Sequence, residues 1–383
     1  MRRIPASGGR PRRRACRRRA PGSGHGAGGH RRGGPAVLKL RIGGRPIGDG
    51  EPCFVIAEAG ANHNRDLGMA RELIAVAAEA GADAVKFQTY SAETLYSKKT
   101  PRFTYLEGLT DQSTWDLIKE IELPREWQAE LAAEATKRGL LFMSTPFDHR
   151  AVEELAALEV PAYKVASFEI VDLPLIRAVA ARGKPVILST GLADYEDIED
   201  ALAACRGAGN DQVVLLQCAS LYPAPPGRMN LRAMATLRRA FGTLVGLSDH
   251  TLGIHVATAS VALGAAVLEK HYTLSRKLKG PDHPFAIEPD EFRALVRQVR
   301  DVEAALGDGE KTGPAPEELE MHQKARRSLV AACAIPKGAR IERDMVTIKR
   351  PGFGIKPKYV DLVIGRVAKA DIEEDTVLTW ELL

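Results

Sequence analysis

Between residues 54 and 270 the chain alternates two kinds of text. Short apolar runs rich in β-favouring residues occupy 54–59, 84–88, 140–144, 163–166, 185–189, 213–218, 244–247 and 266–269. Ala-rich segments with apolar positions at helical spacing lie between them, for example 69–80, 127–138, 175–181, 198–205 and 254–263. Pro124 stands ahead of the second of these and Gly139 just past its end, the punctuation expected of a helix. Eight strands alternating with helices predict an α/β fold of the (β/α)8 barrel type, with a doubly wound sheet as the alternative. A helix expected at 289–306 closes the ring. Most strands begin 22–31 residues after the one before, but the second interval is 56 residues. The extra length, around 91–121, is expected to form an active-site loop.

The pattern changes after residue 306. GDGEKTGPAP at 307–316 reads as a linker, and residues 326–383 are rich in Val and Ile with Pro-Gly turns. That last stretch echoes itself. Val330, Ala331, Ile335, Ile341 and Met345 match Val367, Ala368, Ile372, Leu378 and Leu382 at one constant offset. Two copies of a β-rich unit predict a small pseudo-symmetric domain. The expected organisation is a disordered Arg-rich tail at 1–36, a barrel domain at 37–306, a linker at 307–325 and a terminal domain at 326–383.

Charge sharpens this division. The 383 residues carry a formal +5, yet eleven arginines and no acidic residue lie within the first 35. The remaining 43 basic side chains face 49 acidic ones, so the body is acidic at −6 and is not expected to coat nucleic acid. The Arg-, Gly- and Pro-rich start has almost nothing to bury and lacks the apolar stretch of a signal peptide. Three readings stay open for it: a start assigned too far upstream with Val37 as the true beginning, a solvated tail, or an arm that touches RNA or membrane. No run of about 18 apolar residues occurs, so no membrane-spanning helix is expected. Cys16, Cys53, Cys205, Cys218 and Cys333 are scattered without CxxC spacing. Neither a disulfide framework nor a zinc knuckle is expected, and a reducing cytoplasm is.

Polar residues at the carboxyl ends of barrel strands face the site, whereas burying them elsewhere is costly. Every predicted strand ends in them. The first carries Glu58, the second Lys86 and Gln88, the third Ser144 and Thr145, and the fourth Lys164, Ser167 and Glu169. Ser189 and Thr190, then Ser220 and Tyr222, follow; Ser248-Asp249-His250 and Glu269-Lys270-His271 complete the ring. Singly, each has a bland explanation, since a Ser or Thr after a strand is more often a helix cap and a lone buried His is more often hydrogen-bonded core. Eight decorated strands out of eight is not a chance pattern.

Two lysines and several hydroxyls on one rim suit an anion bearing phosphate and carboxylate groups. His250 and His271, ending neighbouring strands, are placed to share one divalent cation. Two imidazoles leave positions open for substrate oxygens or water, which favours Lewis-acid chemistry on a carbonyl. Glu58 and Asp282 are acid–base candidates. No Gly-rich dinucleotide fingerprint or P-loop occurs, which argues against nicotinamide and ATP chemistry.

The stretches FVIAEAGANHN (54–64), DAVKFQTY (83–90), STPFD (144–148), AYKVASFE (162–169), ILSTG (187–191), LLQCASLYPAP (215–225), GLSDHT (246–251), EKHYT (269–273) and GPDHPFAIEP (280–289) together resemble the sialic acid (N-acetylneuraminate) synthase family. RRSLVAA, IPKGARI and IKRPGFGI in the last 58 residues resemble the SAF (antifreeze-like, β-clip) domain that closes these enzymes. The resemblance runs from about residue 38 to the end. It implies a TIM barrel followed by a SAF domain, and condensation of phosphoenolpyruvate with N-acetylmannosamine or a related N-acyl aldose to a nonulosonic acid. By the same resemblance, His250 and His271 bind a divalent metal, manganese in most bacterial members, with magnesium or cobalt as substitutes. Lys164, Ser167, Ser189, Ser248 and Thr145 hold the phosphate, and Lys86 the carboxylate region. Gln88, Tyr222 and Asp282 meet the sugar. Arg350 reaches into a neighbouring subunit's site, which implies a domain-swapped homodimer.

One position departs from the family pattern. Sialic acid synthases carry Asn in the order Asn-x-Tyr-Pro, and this chain has Ser220 there. Serine is similar to the branches making legionaminic acid, pseudaminic acid or spore-coat sugars. Two rival functions have discriminating tests. A Schiff-base aldolase with Lys164 as nucleophile would be trapped by borohydride and indifferent to chelators. A non-catalytic sugar- or ice-binding protein built on the terminal domain has no use for eight decorated strand ends.

Overall fold

The computed structural model describes residues 38–103 and 111–383, so the expected tail at 1–36 and the middle of the expected loop at 91–121 lie outside the described residues. The chain divides between Glu303 and Ala304 into two compact units.

The first unit opens with an antiparallel hairpin of β1 (Lys39–Ile42) and β2 (Arg45–Gly48). Gly43 and Gly44 turn it with φ of +55° and +83°, backbone that residues with a Cβ seldom adopt. The barrel strands and their helices follow: β3 (Phe54–Glu58), α1 (Leu67–Glu79), β4 (Ala84–Thr89), α2 (Ala92–Leu95), α3 (Thr114–Ile121), α4 (Gln128–Lys137), β5 (Leu141–Pro146) and α5 (His149–Ala157). After them come β6 (Tyr163–Val165), α6 (Leu173–Ala180), β7 (Val186–Ser189), α7 (Tyr195–Gly207), β8 (Val213–Cys218), α8 (Ala233–Phe241), β9 (Leu244–Asp249), α9 (His255–Ala262), β10 (Val267–His271) and α10 (Pro289–Leu306). Aspartates start several helices by accepting backbone N–H groups: Asp66 from Met69, Asp148 from Ala151, Asp172 from Leu175 and Asp194 from both Glu196 and Asp197.

Hydrogen bonding orders the eight parallel strands β5-β4-β3-β10-β9-β8-β7-β6, and β5 lies beside β6. The order runs once around without reversing, which makes the expected (β/α)8 barrel and excludes the doubly wound sheet. Alternation along each strand splits its side chains between two cores. Phe54, Ile56, Ala84, Met143, Ile187, Val214, Leu216 and Val267 point inward and pack with Ile42 and Ile47 of the hairpin. The hairpin, which the sequence pattern did not announce, thereby plugs the amino-terminal mouth. Val55, Ala57, Val85, Phe87, Phe142, Val165, Leu188, Leu215, Leu247 and Leu268 point outward under the helices. Among the described residues no helix is long and apolar enough to cross a membrane.

The second unit holds α11 (Leu319–Ala325), β11 (Ser328–Ala331), β12 (Val346–Lys349) and α12 (Val360–Val363) around Leu329, Ile335, Ile341, Ile355, Ile372 and Leu378. The sequence echo is built into its backbone pairing. Ile335 and Ile372, equivalent in the two copies, exchange both hydrogen bonds at 2.8 and 2.9 Å. Other pairings come in matched sets. Arg340 pairs with Val367 as Val377 pairs with Val330. Gly338 N–H donates to Ala368 O as Asp375 N–H donates to Ala331 O. A pseudo-two-fold axis therefore passes between Ile335 and Ile372.

Candidate active site

Two to four residues beyond its apolar layer, the inward face of each strand turns polar. Glu58, Lys86, Gln88, Thr145, Lys164, Ser189, Ser248, His250, Glu269 and His271 line one cavity at the carboxyl ends of the strands, with Phe147, Ser167, Phe168, Cys218 and Tyr222 from strand β8 and the adjoining loops. Five of the polar residues expected there lie outside the lining, four of them by the same alternation. Ser144 faces Thr89 beneath α4, its Oγ 2.7 Å from Thr89 Oγ1. Asp249 and Lys270 pair with each other on the outer face, at 2.7 Å. Thr190 donates to Leu216 O at 2.9 Å, and Glu169 lies outside the lining.

A chain of alternating charges crosses the cavity floor. Gln88 Nε2 donates to Glu58 Oε1 at 2.8 Å, and Glu58 Oε2 is 2.6 Å from Lys86 Nζ. Lys86 donates to Thr145 Oγ1 at 3.0 Å and faces Glu269 Oε2 at 3.6 Å. Glu269 Oε1 accepts from Ser248 Oγ at 2.9 Å and lies 3.7 Å from Lys164 Nζ. All four charged groups are buried. Burial, with the Glu269 charge, pushes the Glu58 carboxyl up to about 7 against the pull of Lys86. Burial also acts on Glu269, but Lys164 and Lys86 hold it below the ordinary carboxylate value. Burial pushes Lys164 down.

The two histidines stand side by side, ring centroids 5.3 Å apart. His250 Nδ1 lies 2.9 Å from Ala219 O, which can only accept, so Nδ1 carries a proton; burial works against its charge, but the Cys218 charge and hydrogen bond together raise its pKa. Burial, then the His250 charge, holds His271 well below its ordinary pKa, and its Nδ1 is buried without a hydrogen-bond partner. Imidazoles that offer a ring nitrogen in their neutral form are what a divalent ion of the manganese–zinc series takes. Among the described residues no third His, Cys, Asp or Glu completes a protein-only ligand cluster. The donor set therefore fits an ion whose remaining positions belong to water or substrate.

Two hydroxyls, those of Ser167 and Ser220, converge on Gly191. Ser167 Oγ accepts the Gly191 N–H at 3.1 Å, while Ser189 Oγ and Ser220 Oγ are buried without partners. A Cβ on Gly191 would lie 2.5 Å from Ser220 Oγ and 2.8 Å from Ser167 Oγ, so any larger residue would push both serine side chains aside. Ser220 thus joins the site from behind rather than as lining. Asp282 reaches it from the loop after β10. Its Oδ2 is 3.6 Å from His271 Nδ1 and 3.4 Å from Ala61 N, against Gly60 at φ +54°. Burial raises its pKa. His283 pins that loop, bridging Thr273 Oγ1 at 2.6 Å and Asn64 Oδ1 at 3.0 Å. Arg350 is exposed in the second unit, directly after β12.

Reading the sequence alone left Glu269 out of the site proper and passed over Cys218, Phe147, Phe168 and Gly191. Glu269 had a signal, since it sits two residues before His271 on the same strand face.

Comparison with known proteins gives this site relatives. Residues 73–311 match the NeuB family and residues 326–383 the SAF domain. The N,N'-diacetyllegionaminic acid synthase of Legionella pneumophila is 40% identical over 88% of this chain and 96% of its own. The pseudaminic acid synthase of Helicobacter pylori is 38% identical over 86% of this chain and 97% of its own. Among solved structures, an N-acetylneuraminic acid (sialic acid) synthetase from Leptospira borgpetersenii in complex with citrate is 35% identical, with a TM-score of 0.67 over 74% of this chain and 95% of that one.

Proposed function

The chain belongs to the NeuB family, and from that premise we propose that it condenses phosphoenolpyruvate with N-acetylmannosamine or a related N-acyl aldose, giving a nonulosonic acid and phosphate. The observation that carries this reading is the convergence of Lys86, Lys164, Ser167 and Ser189 with the side-by-side imidazoles of His250 and His271 in one cavity. Lys164 with Ser167, Ser189, Ser248 and Thr145 holds the phosphate, and Lys86 the carboxylate. Gln88, Tyr222 and Asp282 orient the aldose. Carbon 3 of phosphoenolpyruvate attacks the aldehyde carbon, water adds at carbon 2, and the C–O bond to phosphate breaks. Glu58, with a pKa of about 7, both takes and gives a proton near neutral pH and serves at the water or the aldehyde oxygen.

His250 and His271 hold a divalent ion, manganese by preference with magnesium or cobalt as substitutes. When bound, it supplies Lewis-acid stabilisation of negative charge on the aldehyde oxygen. The working enzyme is a homodimer in the cytoplasm, with Arg350 of one subunit serving the other's site. Supporting the dimer, Phe168, Leu192, Leu221 and Leu252, on the loops after β6 to β9, are large apolar side chains exposed over 46–73% of their surface.

Ser220 favours a second reading of the aldose, toward the precursors of legionaminic acid, pseudaminic acid or spore-coat sugars. Incubation with phosphoenolpyruvate, manganese and a panel of N-acyl hexosamines, following phosphate release and product mass, tests both. Release with N-acetylmannosamine alone supports the first reading, and release with another member of the panel alone the second. Release with no aldose refutes the synthase assignment.

A further inference from the structure

Asp249 and Lys270 are buried, oppositely charged and absent from the cavity. They sit directly across the β9–β10 ladder, where Asp249 pairs with Lys270 in register and Ser248 with Glu269. Alternation sends the second pair inward and the first pair outward, one residue away from His250 and His271. Lys270 Nζ donates to Asp249 Oδ2 at 2.7 Å and to the Thr251 carbonyl at 2.5 Å. Asp249 in turn accepts the Thr251 N–H at 3.0 Å and the Thr251 hydroxyl at 3.2 Å. His250 is therefore enclosed in a three-residue loop tied off at both ends by the side chain that precedes His271. The His271 backbone is fixed separately, its carbonyl accepting the Ile287 N–H at 3.0 Å.

A buried ion pair that serves only folding can be exchanged for apolar side chains at little cost, so its presence one position from both imidazoles calls for a different reason. We propose that Asp249, Lys270 and Thr251 form a strap on the outer face of the barrel that sets the distance and orientation of His250 and His271 for a shared divalent ion. They are positioning residues, acting through the two histidines and touching neither substrate nor metal. Outer partners of this kind govern metal affinity because imidazoles that must reorganise on binding lose part of the binding free energy.

This inference rests on the two-imidazole reading above, and the test separates the two. Manganese binding by the protein, with metal alone, is read from the electron paramagnetic resonance signal of free Mn2+. Wild-type protein that binds no manganese overturns both. In the double variant Asp249→Asn/Lys270→Met, which removes both charges, the dissociation constant for Mn2+ is expected to rise about tenfold or more. Circular dichroism, and phosphoenolpyruvate affinity measured without metal, are expected to stay at wild-type values. Excess manganese should then restore turnover. A folded double variant with wild-type manganese affinity overturns the strap, as does a parallel loss of phosphoenolpyruvate affinity, which marks general loosening of the barrel mouth. Should the double variant not fold, Thr251→Val decides. It deletes one strap bond and keeps the ion pair, and about a threefold loss of manganese affinity is expected; an unchanged affinity overturns the proposal.

Discussion

Adding one methyl group at Gly191 tests the hydroxyl pocket at its tightest point. The backbone there has a φ that any residue adopts, so Gly191→Ala introduces no strain of its own. Its Cβ would lie 2.5 Å from Ser220 Oγ, 2.8 Å from Ser167 Oγ and 3.3 Å from Cys218 Sγ, where ordinary contact begins at 3.4 Å. Ser220 Oγ must therefore retreat by about 0.9 Å and Ser167 Oγ by about 0.6 Å. Ser167 cannot retreat freely, because it accepts the Gly191 N–H at 3.1 Å. Overpacking of this size costs about 1–3 kcal/mol of stability. A displacement approaching 1 Å in groups that grip a phosphate costs up to about 100-fold in efficiency. The expected result is a KM for phosphoenolpyruvate raised about 10- to 100-fold, with the aldose KM within about twofold of wild type. Steady-state kinetics with each substrate varied in turn reads both. Gly191→Ala/Ser220→Ala deletes the nearer clashing oxygen and should recover part of the loss. An unchanged KM for phosphoenolpyruvate in Gly191→Ala refutes the assignment of the Ser167 hydroxyl to the phosphate, and no recovery in the double variant refutes crowding by Ser220 as the cause of the loss.

Replacing either His250 or His271 by Ala should abolish turnover, with no rescue by added manganese; rescue at high manganese argues against direct ligation. Glu58 gives a pH signature. Its folded-state pKa of about 7 exceeds the ordinary 4.5, so the folded protein holds a proton that the unfolded chain releases. Stability from this group is complete below about pH 4.5 and is lost as the pH rises toward 7. Glu58→Gln removes that loss, so its melting temperature relative to wild type should climb between pH 4.5 and 7 and level off above; a constant difference across that range refutes the raised carboxyl. Arg350→Ala should raise the aldose KM and spare that of phosphoenolpyruvate, and an aldose KM at the wild-type value counts against service to a partner's site.

How much of this was legible in the sequence depends on how far each feature is encoded locally. All eight strands could be read, because an apolar run bounded by Gly or Asp signals carries its own evidence. The β1–β2 hairpin could not. Its four-residue strands hold only Ile42 and Ile47 as core residues, and their burial against Phe54 and Met143 is a purely tertiary fact. The terminal domain's symmetry was visible as a constant offset, and the Ile335–Ile372 pairing is its physical form. At the site, polarity at strand ends found the right places but not the right faces. Applying the two-residue period from Ile56 to Glu58, or from Val267 to Glu269 and His271, sorts inward from outward without any structure. It assigns Glu269 to the cavity and sends Asp249, Lys270 and Ser144 out of it. Ser220 and Asp282 come from loops, where no period applies, and their placement depends on Gly191 and Gly60 leaving room.

The buried carboxylates present an apparent contradiction in a site built for an anion. Glu58 and Glu269 neutralise Lys86 and Lys164 before any substrate arrives. They also keep the lysines usable: burial pushes Lys164 down, and the Glu269 charge is the largest influence opposing that fall. Phosphoenolpyruvate adds a phosphate and a carboxylate to a cavity that is already balanced, so compensating positive charge must enter with it or already wait nearby. Two features supply it. Glu58, poised near 7, gives up its own negative charge by taking a proton, which frees Lys86 for the incoming carboxylate. The paired imidazoles admit a divalent cation beside the reacting carbonyl. Ser189 and Ser220, whose buried hydroxyls have no protein partner, add dipoles that cost no charge. The +5 of the whole chain has no part in this balance. In the proposed reaction the anion would be met by two lysines, a proton and a metal site, inside a body whose own charge is negative.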